Sequence, residues 1–164
     1  EVANKRIRAK KLFMQMINNS TMRSSVCLNF IKRKLLLANR LYFEEGLIHE
    51  DELFTPQLYA LASTMMYIPC MFFHRRVRPG SIMTSVKIEK TLEALCHIIS
   101  ELCAFAISHF GVRWVIYLRC YELAVHANNL KKDYIKQQLP HFWKRISRCY
   151  KWFNYCRKIK KLLL

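Results

Sequence analysis

Glycine and proline are scarce in this chain, whose 164 residues include only three glycines and four prolines. An all-β fold of this length needs many tight turns, and such turns depend on these two residue types. The scarcity therefore argues against a β-sandwich or a β-barrel and favours long helices with few connections. Hydrophobic residues make up 52% of the chain, which is enough for a packed core. The sequence thus predicts an all-α fold.

Acidic residues are scarce too, because 11 Asp and Glu face 28 Lys and Arg, for a formal net charge of +17. Five of the acids lie between Glu44 and Glu52, and none follows Asp133. The positive field is therefore strongest near the C-terminal end. Such a field attracts nucleic acid, anionic lipid or acidic proteins and says nothing about the fold.

The sequence lacks the patterns of the common catalytic and cofactor sites. Gly46, Gly80 and Gly111 are too scattered for a phosphate-binding loop, and the six histidines fall in no metal-ligand spacing. Seven cysteines form no Cys-x-x-Cys pair, and their odd number favours reduced, buried thiols in a cytosolic or nuclear setting. We therefore expect no enzyme activity, no cofactor and no bound metal.

No uncharged apolar run reaches the roughly 18 residues that a membrane-spanning helix requires, so no such helix is expected. The last residues, Leu162–Leu164, follow Lys160 and Lys161 directly. This apolar end is consistent either with the start of a C-terminal membrane anchor or with a frayed helix end.

The spacing of apolar residues predicts a basic N-terminal lead-in over residues 1–22 and a single helical domain over residues 23–164. Within that domain, spacings of three and four predict helices from Cys27 to about Gly46, from Thr55 to about Phe73, from 84 to 109, and from 130 to 146. Pro69 is expected to kink or end the second of these helices. Glu50–Glu52 is interpreted as a solvated loop.

Residues 112–127 are apolar on nearly every side, and Gly111 separates them from the preceding helix. A helix of this composition is normally buried on every side. The predicted architecture is therefore a central hydrophobic helix (about 112–127) wrapped by about six amphipathic helices. It differs from a four-helix bundle, in which no helix is fully buried.

Three motifs resemble those of the Bcl (B-cell lymphoma) family of apoptosis regulators. The first matches the family's N-terminal homology motif and consists of Val26, Phe30, Ile31, Lys34 and Leu35. The second, Glu101–Leu102 followed by Phe110–Gly111 and Arg113, resembles the first homology motif, although Cys103 replaces the usual Phe and Val112 separates Gly from Arg. The third, Leu58 with Ala62 and Ser63, resembles the third homology motif with Ser63 in place of Asp.

The resemblance implies a Bcl-like helical bundle that binds amphipathic helices of pro-apoptotic partners in a hydrophobic surface groove. By resemblance, the groove consists of Leu58, Leu61, Met65, Phe73, Leu95, Ile98, Leu102, Phe105, Phe110, Gly111, Arg113 and Ile116. The alternative for each of these residues is a plain core position. By resemblance, Arg113 pairs with a carboxylate of the ligand; the alternative is an exposed arginine at the start of a helix. Gly111 either lets the ligand helix approach the backbone closely or simply ends a helix.

The first motif favours the pro-survival branch of the family. The resemblance also implies a cytoplasmic protein at the outer mitochondrial or another intracellular membrane, with homo- or heterodimers among its complexes. Two alternatives follow from the charge pattern. One is a nucleic-acid-binding protein, because aromatic residues alternate with Lys and Arg after residue 143. The other is a module that docks on an anionic membrane surface.

Overall fold

The structure of this protein is a computed structural model, and it describes residues 4–74, 76 and 88–162. Pro79 and Gly80, a pair that predicts a turn, lie outside the described residues. So do the helix start predicted at residue 84 and the final Leu163–Leu164. The described residues form seven α-helices and one short antiparallel strand pair, so the coarse prediction of a mostly helical fold is confirmed. By its internal contacts the chain divides into two compact units, residues 1–94 and 95–164.

The N-terminal unit contains β1 (Arg6–Arg8), α1 (Ala9–Asn18), a 3-10 turn (Val26–Leu28), α2 (Arg33–Asn39), α3 (Glu50–Leu61) and β2 (Thr64–Met66). β1 pairs with β2 in antiparallel register, with Ile7 opposite Met65. The boundary between the units falls inside α4 (Ile88–Ser108). The C-terminal unit continues with α5 (Arg113–Leu130), α6 (Tyr134–Gln138) and α7 (Pro140–Leu162).

The N-terminal helix α1 is part of the core of its unit. Its apolar side chains recur at helical spacing, and four of them are buried: Ala9, Leu12, Phe13 and Ile17. The helix packs against α3 and the strand pair, and the fully buried ring of Phe13 meets Tyr59 edge to face, with the ring centroids 5.5 Å apart. The segment predicted as a basic lead-in therefore contributes core side chains, while its basic residues Lys10 and Lys11 stay exposed.

The prediction of one amphipathic helix from Cys27 to about Gly46 is wrong. The segment forms the 3-10 turn, an extended stretch and the short α2, which ends at Asn39. The physical reason lies at Asn29, whose side-chain amide donates to the Ser25 carbonyl (3.2 Å) and whose Oδ1 accepts a hydrogen bond from the Tyr59 hydroxyl (2.8 Å). Such side-chain bonds compete with helical backbone bonds.

The predicted N-terminal homology motif consequently does not form one helical face. Val26, Ile31 and Leu35 are half-buried, while Phe30 and Lys34 are exposed. The two ends of the motif lie in different elements, the 3-10 turn and α2.

The helix predicted to start at Thr55 starts five residues earlier, at Glu50. The acidic residues Glu50–Glu52, interpreted as a solvated loop, form its first turn, where negative charge is favoured by the helix dipole. The helix ends at Leu61 and does not reach Phe73, because residues 64–66 leave it to pair with β1. Two hydrogen bonds fix this position: Ser24 donates to the half-buried Glu52 (2.6 Å), and the buried hydroxyl of Thr55 donates to the Ser24 carbonyl.

The apolar helix predicted over about residues 112–127 is present as α5, with eight buried residues, among them Val115, Ile116 and Cys120. It packs against α6 and α7, and Cys120 approaches Cys103 of α4, with 3.8 Å between the sulfur atoms. It is not buried on every side, since Trp114 and Val125 are exposed.

The helix predicted over residues 130–146 is divided into α6 and α7. Two successive asparagines, Asn128 and Asn129, predict a turn, but both are still in α5. The Oδ1 atom of Asn128 accepts a hydrogen bond from the Ile135 amide (3.0 Å). Pro140 opens α7, which is the helical position that tolerates proline best.

One described helix, α4, is long and apolar enough to cross a membrane, with a mean hydropathy of 1.4 over 18 of its residues. Glu93 and Glu101 interrupt its apolar run, which is why the criterion of an uncharged segment excluded it. Buried core helices pass the same test, and 44% of this stretch is buried.

Candidate functional site

A cleft of about 620 Å³ opens in the C-terminal unit between α5, α7 and the end of α4. Aromatic and aliphatic side chains form most of its wall, together with three arginines and one cysteine. The lining residues are Ile107, Phe110, Arg113, Trp114, Tyr117, Arg145, Arg148, Cys149 and Trp152. This volume lies within the range of about 300–1,000 Å³ that is usual for ligand-binding pockets.

The connection between α4 and α5 supplies one rim of the cleft. The amide of His109 bonds to the Phe105 carbonyl (3.1 Å) and that of Val112 to the His109 carbonyl (3.1 Å), so the chain passes Gly111 in a tight turn. This turn leaves the Phe110 ring 70% exposed at the mouth of the cleft. An exposed phenyl ring on such a turn is available to a ligand.

Arg113, the first residue of α5, lies between two aromatic rings. Its guanidinium carbon is 4.8 Å from the centroid of the Phe110 ring and 5.4 Å from that of the Trp114 ring. These cation–π contacts orient the planar group while its hydrogen-bond donors stay available. The side chain is therefore prepared for a carboxylate or a phosphate.

The second wall is one face of α7. Arg145, Arg148, Cys149 and Trp152 follow one another at spacings of three, one and three, which places them on the same side of a helix. The Trp152 ring stacks on Trp114 of α5, with ring centroids 5.5 Å apart and planes 29° apart. This stack joins the two walls at one end of the cleft.

Two arginines of this wall are positioned by neutral groups. Arg145 donates to the Tyr117 hydroxyl (3.4 Å), and Arg148 donates to the Lys144 carbonyl in its own helix (3.2 Å). Neither contact neutralises the guanidinium charge, so both arginines contribute to a positive cleft.

The acidic residues of the C-terminal unit do not balance this charge. They are Glu101, Glu122 and Asp133. Glu122 pairs with Arg119 at 2.8 Å, and Asp133 lies 4.0 Å from Lys136. Among the residues that the structure describes, no carboxylate forms a salt bridge with a cleft arginine, so the electrostatics favour an anionic ligand.

Cys149 contributes a thiol to the cleft wall, and burial raises its pKa to about 11. Its Sγ lies 3.9 Å from the Trp114 carbonyl oxygen. At neutral pH the group is therefore a thiol and a poor nucleophile. Within the described part of the chain no cluster of three His, Cys, Asp or Glu residues has the arrangement of a metal site.

The other cysteines differ in burial. Cys27 and Cys70 are exposed, although the sequence predicted buried thiols, whereas Cys103 and Cys120 are buried. Burial, reinforced by the contact with Cys103, raises the pKa of Cys120 well above its usual value. The described cysteines are all free thiols.

The twelve residues of the predicted groove are distributed unevenly. Phe110 and Arg113 lie in the cleft, and the exposed Gly111 lies between them in sequence. Five others are core residues, as the alternative interpretation expected: Leu58, Leu95, Ile98, Leu102 and Ile116. Phe105, Leu61 and Met65 are half-buried, and Phe73 is exposed. Four of the twelve belong to the N-terminal unit: Leu58, Leu61, Met65 and Phe73.

Sequence reasoning missed most of the cleft, namely Ile107, Trp114, Tyr117, Arg145, Arg148, Cys149 and Trp152. A signal was present for the α7 wall, because its residues follow helical spacing in the basic and aromatic C-terminal segment. That segment was interpreted as a candidate nucleic-acid surface rather than as one side of a cleft.

Comparisons with protein-family models, with curated proteins and with solved structures found no match to this chain.

Proposed function

We propose that this protein binds an amphipathic helix of a partner protein in the arginine-lined cleft between α5 and α7. The role proposed for it is that of a Bcl-type apoptosis regulator, on the pro-survival side, whose ligands are helices of pro-apoptotic proteins. It would act on the cytoplasmic face of the outer mitochondrial or another intracellular membrane. These biological assignments derive from the motif resemblance, and the cleft supplies the physical support for helix binding.

The observation that carries the proposal is the position of Arg113. Its guanidinium is half-buried against Phe110 and Trp114, at the mouth of a cleft whose walls are mostly apolar. A helix that presents apolar side chains on one face and a carboxylate at its edge would match both features. A bidentate carboxylate would satisfy the arginine in a partly desolvated place, where such bonds are strongest.

Fluorescence anisotropy with labelled helical peptides tests this proposal. A panel of third-homology peptides is titrated with the full chain at low and high salt, and random single-stranded and duplex DNA serve as further probes. We expect submicromolar peptide binding that survives high salt, because apolar anchors supply most of the affinity.

Two variants make the test specific. Arg113→Ala should weaken peptide binding at least about tenfold, since charge-assisted hydrogen bonds contribute about 1.5–3 kcal/mol. Lys136→Ala is the matched control, because Lys136 is an exposed cation outside the cleft. Equal affinity in the wild type and Arg113→Ala would contradict the proposed binding mode.

Binding of nucleic acid is the second candidate function. The same cleft combines three arginines with the stacked Trp114 and Trp152 rings, and aromatic platforms with cations also suit single-stranded nucleic acid. Salt separates the two functions, because phosphate contacts release counterions and weaken steeply as salt rises. DNA binding that is lost at high salt, without peptide binding, would favour this candidate.

A further inference from the structure

The N-terminal unit carries an exposed apolar surface that the cleft does not involve. Two segments contribute to it: residues 28–30, at the end of the 3-10 turn, and residues 67–72, which follow β2. Its members, here called the aromatic surface, are Leu28, Phe30, Tyr67, Ile68, Met71 and Phe72. Phe30 is 83% exposed and Met71 is 95% exposed.

The fold holds these two segments beside each other. The rings of Phe30 and Phe72 are in contact, with centroids 5.2 Å apart. Asn29 is fixed by the hydrogen bond from Tyr59 of α3, and the Tyr67 carbonyl accepts a hydrogen bond from the Asn4 amide (2.8 Å). Asn29, next to Phe30 in sequence, is thus held by the buried Tyr59, and Tyr67 extends the pairing of β1 with β2 by one hydrogen bond.

The charged residues in and next to the two segments that carry the aromatic surface are all basic. Lys32, Arg33 and Lys34 follow Phe30 after one intervening residue, Ile31, and all three are exposed. Neither residues 26–43 nor residues 64–76 contain an Asp or a Glu. The chain thus places exposed aromatic and aliphatic side chains next to a basic cluster without a neighbouring carboxylate in either segment.

We infer that the aromatic surface docks the protein onto a lipid bilayer that contains anionic phospholipids. Phe30, Met71 and Phe72 enter the boundary between headgroups and acyl chains, where aromatic and apolar side chains are stable. Lys32, Arg33 and Lys34 contact the headgroup phosphates, because the negative surface potential of an anionic leaflet attracts cations. A bilayer fits better than a soluble acidic protein, because it accepts apolar side chains and cations over one broad surface. The inference is independent of the proposed helix binding.

Cosedimentation of the full chain with large vesicles tests the inference. Vesicles of phosphatidylcholine alone are compared with vesicles that also contain phosphatidylserine. We expect the wild type to sediment with the anionic vesicles and to bind the neutral ones at least about tenfold more weakly, because each cation near an anionic surface contributes a factor of about five.

Two variants probe the surface and two serve as controls. Phe30→Ser with Met71→Ser should lower the partition coefficient at least about tenfold, because apolar area no longer leaves water. Lys32→Gln with Lys34→Gln should lower it by roughly twenty- to thirtyfold. The matched controls are Leu130→Ser and Lys136→Gln in the C-terminal unit, an exposed leucine and an exposed lysine outside the surface. They should bind like the wild type.

Several results would overturn the inference. One is a wild type that fails to bind vesicles or binds both types equally. The others are surface variants that bind as well as the wild type, and control variants that lose as much vesicle binding as the surface variants. Circular dichroism checks that each variant is folded, which is expected because all the substituted side chains are exposed. Peptide affinity, measured without lipid, should not change in the surface variants, so failure of this inference is distinguishable from failure of the proposed function.

Discussion

Replacement of Phe13 by alanine tests whether the N-terminal segment is part of the core. The Phe13 ring is fully buried on α1 and meets Tyr59 of α3 edge to face. Phe→Ala substitutions at such positions cost about 3–5 kcal/mol, through lost burial and the cavity that remains. The contact between the two rings accounts for about 0.5–1.5 kcal/mol of that loss. We therefore expect the free energy of unfolding to fall by about 3–5 kcal/mol.

Urea denaturation followed by far-ultraviolet circular dichroism measures this change. Phe30→Ala is the matched control, because it removes the same side chain from the same unit at a position that is 83% exposed. Its cost should stay below about 1 kcal/mol, as is usual for surface positions. If Phe13→Ala cost no more than Phe30→Ala, α1 would not be packed as described, and residues 1–22 would be a separable lead-in after all.

Three further predictions concern single groups. Burial, and after it the charges of the neighbouring Glu52 and Glu50, raise the pKa of Asp51 in the folded protein. The folded state is therefore not penalised in acid, where Asp51 is protonated, and it loses stability as pH rises through the folded pKa and the carboxyl ionises. Asp51→Asn should therefore raise the melting temperature at neutral pH but not in acid, and a lower melting temperature at neutral pH would refute this sign. Because burial raises the pKa of Cys149 to about 11, iodoacetamide at mildly alkaline pH should label it far more slowly than the exposed Cys27, and equal rates in peptide mass spectrometry would contradict the described burial. Gly46 has a φ of +76° with open space around it, so Gly46→Ala should cost about 1–2 kcal/mol in urea denaturation, whereas Gly111→Ala, which also meets open space, should be nearly neutral.

Some parts of the fold could be predicted from sequence because their signals are local. The apolar periodicity of α4 and the apolar run of α5 extend over many residues, and Gly111 stands in the break between them. Long periodic segments of this kind depend little on the rest of the chain. The helical class and the position of this break could therefore be read without a structure.

Other parts depend on long-range partners that a linear pattern does not specify. The stretch from Cys27 to Tyr42 has helical periodicity, yet Asn29 bonds to Tyr59, thirty residues away, and the helix is broken there. β2 leaves the α3 region to pair with β1 near the N-terminus, which separates Met65 from the helix that was predicted to carry it. A local pattern shows which residues can share one face of a helix. It does not show which tertiary contact replaces that helix by another structure.

The candidate site shows the same division. Phe110 and Arg113, which the resemblance to the first homology motif assigns to a groove, both line the cleft. The α7 wall was not, because nothing in the sequence states that Trp152 stacks on Trp114. Three of the four predicted groove residues of α4, Leu95, Ile98 and Leu102, are core residues instead, and the fourth, Phe105, is half-buried.

The central claim is that Arg113 binds a carboxylate of a partner helix, and a double-mutant cycle tests it most directly. Arg113→Ala in the protein is combined with replacement of the carboxylate by an amide in the tightest-binding peptide, and the four affinities are measured by anisotropy at one salt concentration. If the two groups pair, the coupling free energy should be about 1.5–3 kcal/mol, and the second substitution should have little effect once the first is present. A coupling below about 0.5 kcal/mol, with the two losses simply additive, would contradict the account.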